Sequence, residues 1–133
     1  GIGRYAVSTA ADYARTRNVW GQPIATHQGV SHPLAKAKIQ VELAALMTAK
    51  AAWQYDNGLP AGEASNMAKY AAAEAAIAAV DAAIQVHGGN GLSVEYGLLP
   101  MWGMARLLRI APVNSEMVLN YVAQHSLKLP KSY

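Results

Sequence analysis

Residues 63–91, EASNMAKYAAAEAAIAAVDAAIQVHGGNG, decide how the chain reads. Alanine dominates the stretch, and it is the best helix former because it loses no side-chain entropy and adds no competing polar group. Met67, Tyr70, Ile77 and Ile84 recur at helical spacing and mark an apolar side. Gly88-Gly89 is a C-terminal stop. A helix over about 63–87 follows. Its small-residue surface, Ala71 to Ala79, lets neighbouring helices approach closely, as a tightly packed bundle needs.

Working outward, a first helix is expected over about 1–17, with Ile2, Tyr5, Ala6, Thr9, Ala10 and Tyr13 on one face and Gly21 and Pro23 ending it. Residues 22–33 read as a polar link. A second helix covers about 34–56, or starts nearer Gln28. Its apolar stripe is Ile39, Leu43, Leu46 and Trp53, interrupted by Lys50, whose stem can snorkel. Asn57-Gly58 and Pro60 close it. Residues 92–110 are less regular, since Gly97, Pro100 and Gly103 argue for a short or broken helix. The last helix starts at Asn114 or Ser115, either a suitable N-cap, with Pro112 just outside. It carries Met117, Val118, Tyr121 and Val122 to about His125, and 127–133 form a tail. No strand and no short repeat is evident. The expected fold is all-α, an antiparallel (up-and-down) bundle of four main helices in one domain over 1–133.

Composition narrows the function. The chain has 133 residues, a net charge of +3, 14% charged and 53% hydrophobic residues. An average soluble domain carries roughly 25% charged residues. So little charge points to surface hidden in an interface. Without Cys there is no disulfide scaffold and no Cys-ligated zinc. The 11 basic residues are scattered, which argues against nucleic-acid binding. A membrane span needs about 18 uninterrupted apolar residues. The longest run, 98–110, is broken by Pro100, Gly103, Arg106 and Arg109. Gly1-Ile2-Gly3-Arg4 is neither a signal peptide nor an initiator Met, and reads as the start of a fragment or processed product. A cytoplasmic location is expected, with an organelle left open.

His27, His32, His87 and His125 show no metal-ligand spacing, so no metal is expected. There is no nucleophile elbow and no P-loop. The unusual segment is 85–91, Gln-Val-His-Gly-Gly-Asn-Gly. A helix C-cap explains one glycine or two. Three in four positions suit a loop that lets a backbone or phosphate come close. Arg15 and Arg17 suit a helix C-terminus, either as a solvated end or, for an arginine beside an aromatic such as Trp20, as a phosphate or ring contact. Ser115 and Glu116 are most simply capping residues, at a helix start whose N–H groups could also meet an anion.

In order, Tyr13-Ala14-Arg15-Thr16-Arg17-Asn18-Val19-Trp20-Gly21-Gln22-Pro23-Ile24, His27-Gln28 and Gln85–Gly91 resemble the C-terminal domain of the acyl-CoA dehydrogenase family, over essentially the whole chain. The family patterns are Tyr-x-x-x-Arg-x-x-Phe-Gly, a following Gln, and Gln-x-x-Gly-Gly-x-Gly. The resemblance implies the last domain of a longer flavoenzyme that oxidises acyl-CoA to the 2,3-enoyl-CoA. It implies FAD as cofactor, an electron-transferring flavoprotein as acceptor, and a homo-oligomer, dimer or tetramer, built around this domain. By position, Arg17 would meet the FAD pyrophosphate, and Trp20 replaces a Phe beside the adenosine. Gln28 would contact the FAD of a partner subunit. Gln85, Gly88 and Gly89 form the loop that closes on the dinucleotide. Asn114, in place of the usual Thr, and Glu116 fall where the last helix approaches FAD. One departure matters: Pro112 stands where many members carry the catalytic Glu, and Gly103-Met104 replaces the usual Arg-Asp pair. The resemblance therefore implies no catalytic residue in this chain and a base located upstream of Gly1. The alternatives are a non-catalytic oligomerisation subunit or a related flavoprotein, an oxidase or monooxygenase, without the usual glutamate. Alone, the chain is expected to show little activity or stable FAD binding.

Overall fold

The computed structural model describes residues 1–132. Tyr133, the end of the expected tail, lies outside the described residues. Five α-helices account for most of the chain: α1 Ile2–Thr16, α2 Gln28–Asp56, α3 Gly62–His87, α4 Leu98–Leu107 and α5 Ser115–Tyr121. The α3 helix is central and touches each of the others. Gly3 lies against Ala76 and Val41, while Tyr13 stacks on His87, so α1 runs parallel to α3. Ala51 packs with Ala64 and Ala68, whereas Val30 and Val86 share the other end, so α2 is antiparallel to both. The returning leg is split. Trp102 of α4 meets Asp81, Arg109 meets Glu74, and Tyr121 of α5 reaches Gly62. The up-and-down bundle expected from the sequence is the observed one, with α4 and α5 making its fourth leg.

The core is built largely from alanine. Ala6, Ala10 and Ala14 of α1 face Ala75, Ala76, Ala79, Val80 and Ala83 of α3. Leu34, Ala37, Val41 and Ala44 of α2 complete it. Small side chains on facing helices bring the backbones close, so dispersion contacts accumulate despite the lack of bulk. Leu98, Val80 and Val118 are the largest fully buried side chains. At the surface, Lys38 and Arg4 both donate to Glu42, tying α1 to α2 and holding that carboxyl below the usual range.

Two expectations change. The stripe Ile39, Leu43, Leu46 and Trp53 is not the core face of α2; these residues are 59–68% exposed. The buried face is Leu34, Ala37, Val41, Ala44 and Ala51, equally helical in spacing. Both faces of α2 are apolar, and the one with small residues packs against the alanine surface of α3. Second, a strand pair exists. Asn18–Val19 (β1) and Gln22–Pro23 (β2) pair antiparallel, with Val19 opposite Gln22. The two-residue turn between them has positive φ at Trp20 (53°) and Gly21 (82°), the pattern of a type I′ hairpin turn. Two-residue strands have no periodicity to read. Of the two starts expected for α2, the structure takes Gln28, with Pro33 in the second turn. There the proline forgoes only one backbone bond.

Residues 98–107 form a continuous helix despite Pro100 and Gly103. Pro100 is the third residue, where a backbone N–H has no helical partner in any case. Asn114, not Ser115, caps α5: its Oδ1 accepts from the Met117 N–H at 2.8 Å. Ser115 is buried, with no hydrogen-bond partner for its Oγ. Glu116 is exposed in the first turn and makes no capping bond. The chain continues past α5 as a π-helical turn over Val122–Ser126.

Candidate functional site

The C-terminal ends of α1 and α3 lie side by side, and a cleft of about 380 Å³ opens between them and the hairpin. Tyr13, Arg17, Val19, Ile24 and residues 85–90 line it. No carboxylate is among the lining residues, so the cleft favours an anion over a cation.

Arg17 caps α1 in extended conformation (φ −74°, ψ 113°), which turns the chain out of the helix. Its backbone is held on both sides: its N–H donates to the Tyr13 carbonyl at 2.8 Å, and its carbonyl accepts from the Ile24 N–H at 2.9 Å. The guanidinium has no ion-pair partner among the described residues. The nearest acid in sequence, Asp12, is taken by Arg15. A fixed backbone bearing an unpaired guanidinium at a cleft mouth is a ready anion contact.

The three glycines after α3 have three different reasons. Gly88 sits at φ 58°, ψ −135°, a conformation that side chains rarely adopt. Gly91 is buried, and a Cβ there would lie 2.6 Å from the Ile84 carbonyl oxygen, so its smallness clamps the loop onto α3. Gly89 has neither reason. Its φ is ordinary, and a Cβ would meet nothing within 4 Å. The protein's own packing does not require a glycine at this cleft-lining position; a closely approaching ligand would.

His87 is 4% exposed. Its Nδ1–H donates to the Ala83 carbonyl at 2.7 Å, and its ring stacks on Tyr13 with centroids 4.1 Å apart. Tyr96 meets both rings edge-on. No local pattern groups these residues, because Tyr13 lies far along the chain from His87 and Tyr96.

Of the residues named from sequence, Arg17, Gln85, Gly88 and Gly89 converge on this cleft. Trp20 is the hairpin tip beside it, 90% exposed, its ring edge-on to His27. Gln28 is exposed at the first residue of α2 and does not line the cleft. Asn114 and Glu116 belong to a second location. They start α5, next to Arg109, whose partner Glu74 lies midway along α3, far from Gly88. Pro112 is exposed in the preceding loop. A larger, mostly apolar cavity of about 570 Å³ lies by the start of α1 and the middles of α2 and α3, and none of the named residues lines it. Among the described residues there is no group of His, Asp and Glu that could hold a metal ion, and no helix is long and apolar enough to cross a membrane.

The family model described as "Acyl-CoA dehydrogenase, C-terminal domain" matches residues 1–127. Acyl-CoA dehydrogenase FadE12 of Mycobacterium tuberculosis is 61% identical over 135 residues, covering all of this chain and 35% of the relative. Butyryl-CoA dehydrogenase from Megasphaera elsdenii superposes with a TM-score of 0.92 at 29% identity, over 95% of this chain and 33% of that one. The FAD complex of PigA does so with a TM-score of 0.92 at 28% identity, over 96% and 33%. The chain thus spans about a third of the length of these relatives. With a family model matched over residues 1–127 and solved relatives superposing over most of its length, the chain belongs to the acyl-CoA dehydrogenase C-terminal domain family.

Proposed function

We propose that this chain is the FAD-contacting and oligomerisation domain of a longer acyl-CoA dehydrogenase, which oxidises the α,β-bond of an acyl-CoA thioester and passes electrons to an electron-transferring flavoprotein. The observation that carries the reading is the acid-free cleft, with an unpaired Arg17 beside a Gly89 that the chain's own packing does not require. A dinucleotide pyrophosphate supplies both missing partners, an anion and a close-approaching surface. FAD, when bound, supplies the hydride acceptor. The roles of this chain are then to anchor and orient. Arg17 neutralises phosphate charge, and Gln85 and the Gly88–Gly89 backbone border the dinucleotide. Trp20 offers a ring at the adenosine end, and Gln28, at the start of α2 and outside the cleft, would contact the FAD of a partner subunit. Asn114 and Glu116, near Arg109 and its partner Glu74 further back along α3, would meet a different part of the cofactor or a second FAD in the oligomer.

Pro112 cannot take a proton, so the base for α-proton removal comes from elsewhere in the full-length protein. The same observation favours one second reading, a related flavoprotein that runs oxidase or monooxygenase chemistry without that carboxylate. Product analysis of the full-length enzyme with acyl-CoA in air separates the two: an enoyl-CoA formed without hydrogen peroxide supports the dehydrogenase, and hydrogen peroxide in step with the enoyl-CoA, or a hydroxylated product, supports the alternative.

The test of the cofactor site is FAD content. Full-length protein should purify with FAD. Gly89→Val, which places a branched side chain in the open space of the cleft, should bind it at least about tenfold more weakly with an unchanged melting temperature. Full FAD retention in this variant counts against the site. The exposed stripe Ile39, Leu43, Leu46 and Trp53 supports the oligomer. Light scattering of the full-length protein is expected to give a dimer or tetramer, and a monomer at micromolar concentration counts against it.

A further inference from the structure

The two residues that flank Gly88–Gly89 both reach the same side chain. His87, just before the pair, stacks on the Tyr13 ring at 4.1 Å. Asn90, just after it, donates from Nδ2 to the Tyr13 hydroxyl at 3.1 Å and approaches the Tyr96 hydroxyl at 3.5 Å. Tyr13 is one helical turn before Arg17, and its carbonyl accepts the Arg17 N–H at 2.8 Å. One residue of α1 is therefore tied to both ends of the glycine pair and, through the backbone, to the cleft's arginine.

We infer that Tyr13 is a positioning residue for the dinucleotide, setting the register between the Arg17 guanidinium and the Gly88–Gly89 backbone; this rests on the FAD reading above. The packing of α1 on α3 alone does not fix that register. Its fully buried residues near the site are Ala10 and Ala14 on α1 and Ala79, Val80 and Ala83 on α3, small apolar side chains with no directional groups to stop a slide or rotation of one helix end on the other. The stacked ring and the Asn90 bond supply direction. The loop end cannot drift instead, because Gly91 is seated against Ile84. Loss of the Tyr13 hydroxyl would leave the ring stacked but free the Asn90 side of the loop. Arg17 and the glycines would then no longer be held at a common spacing, and a rigid pyrophosphate would satisfy one or the other less well.

The test is a mutant cycle on full-length apoprotein, with FAD affinity read by quenching of flavin fluorescence and melting temperature recorded for every variant. Tyr13→Phe is expected to weaken FAD binding about three- to tenfold, the loss of one hydrogen bond's worth of positioning. Asn90→Ala, at an exposed position, is expected to do the same. In an Arg17→Ala background Tyr13→Phe should cost no further affinity, since the group it positions is gone. A merely structural role would lower the melting temperature and let the two losses multiply. Wild-type affinity in Tyr13→Phe, or multiplying losses, overturns the positioning role. If Arg17→Ala itself retains wild-type affinity, the cofactor reading falls and the positioning role with it. If Arg17→Ala loses affinity and Tyr13→Phe does not, only the positioning role falls.

Discussion

Arg17→Ala in the full-length protein is expected to weaken FAD binding about 10- to 150-fold, the range for losing a hydrogen bond to a charged group worth about 1.5–3 kcal/mol. The expectation rests on three features of the site. Among the described residues no carboxylate engages the guanidinium, so its interaction energy is available to a ligand. Its backbone is pinned by Tyr13 and Ile24, so little ordering cost falls on the arginine's main chain when a ligand binds. The lining of the cleft carries no acid to compete with an incoming phosphate. Arg17→Lys should recover part of the affinity, because it restores charge without the planar, two-pronged donor set. The loss should shrink as salt is raised, since the residue is exposed and screened. Isothermal titration of apoprotein with FAD at two ionic strengths checks both points. An Arg17→Ala protein with wild-type affinity would remove the anion contact from the account. Melting temperature should be unchanged, because the exposed side chain has no ion-pair partner among the described residues.

Leu98→Ala is expected to cost about 2–5 kcal/mol of stability, the largest effect of any single truncation here. Leu98 is fully buried at the start of α4, where the fourth leg docks on the bundle. In a buried core whose other members are alanine, valine and a single further leucine, Leu34, this side chain is one of few large apolar contributions. Leu99→Ala is the control. That side chain is 45% exposed, and its truncation should cost less than about 1 kcal/mol. Urea unfolding of both variants, read at the midpoint with a common slope, decides the matter. Equal costs would mean that α4 docks through its outer surface and not through Leu98.

Much of the fold was legible because alanine is unambiguous. No other residue type makes a helix from 63 to 87 so plain, and Gly88-Gly89 marked its end to the residue. The Asn114 cap was legible as one of two candidates, since either residue could accept the bond and only the geometry of the turn chose between them. What misled was periodicity on α2. Two apolar faces at helical spacing coexist there, and the residues of higher hydrophobicity looked like the core. Packing chose the smaller ones, because the partner surface on α3 is alanine and only small residues let the backbones close on it. The hairpin at 18–23 was invisible to pattern, being too short for alternation, though the positive φ at Trp20 and Gly21 makes it a defined turn.

By itself, then, the sequence determined the helices, their order and the ends that carry Arg17 and the glycine loop. Each of these is a local choice, made by propensity, capping and chain-breaking residues within a turn or two. The tertiary structure decided which residues share a site. It brought Tyr13 to His87 and Asn90, seated Gly91 against Ile84 and left Gly89 open. It kept Asn114 and Glu116 apart from the cleft. These are contacts between positions up to 77 residues apart, and they exist only once three helices have packed at one register.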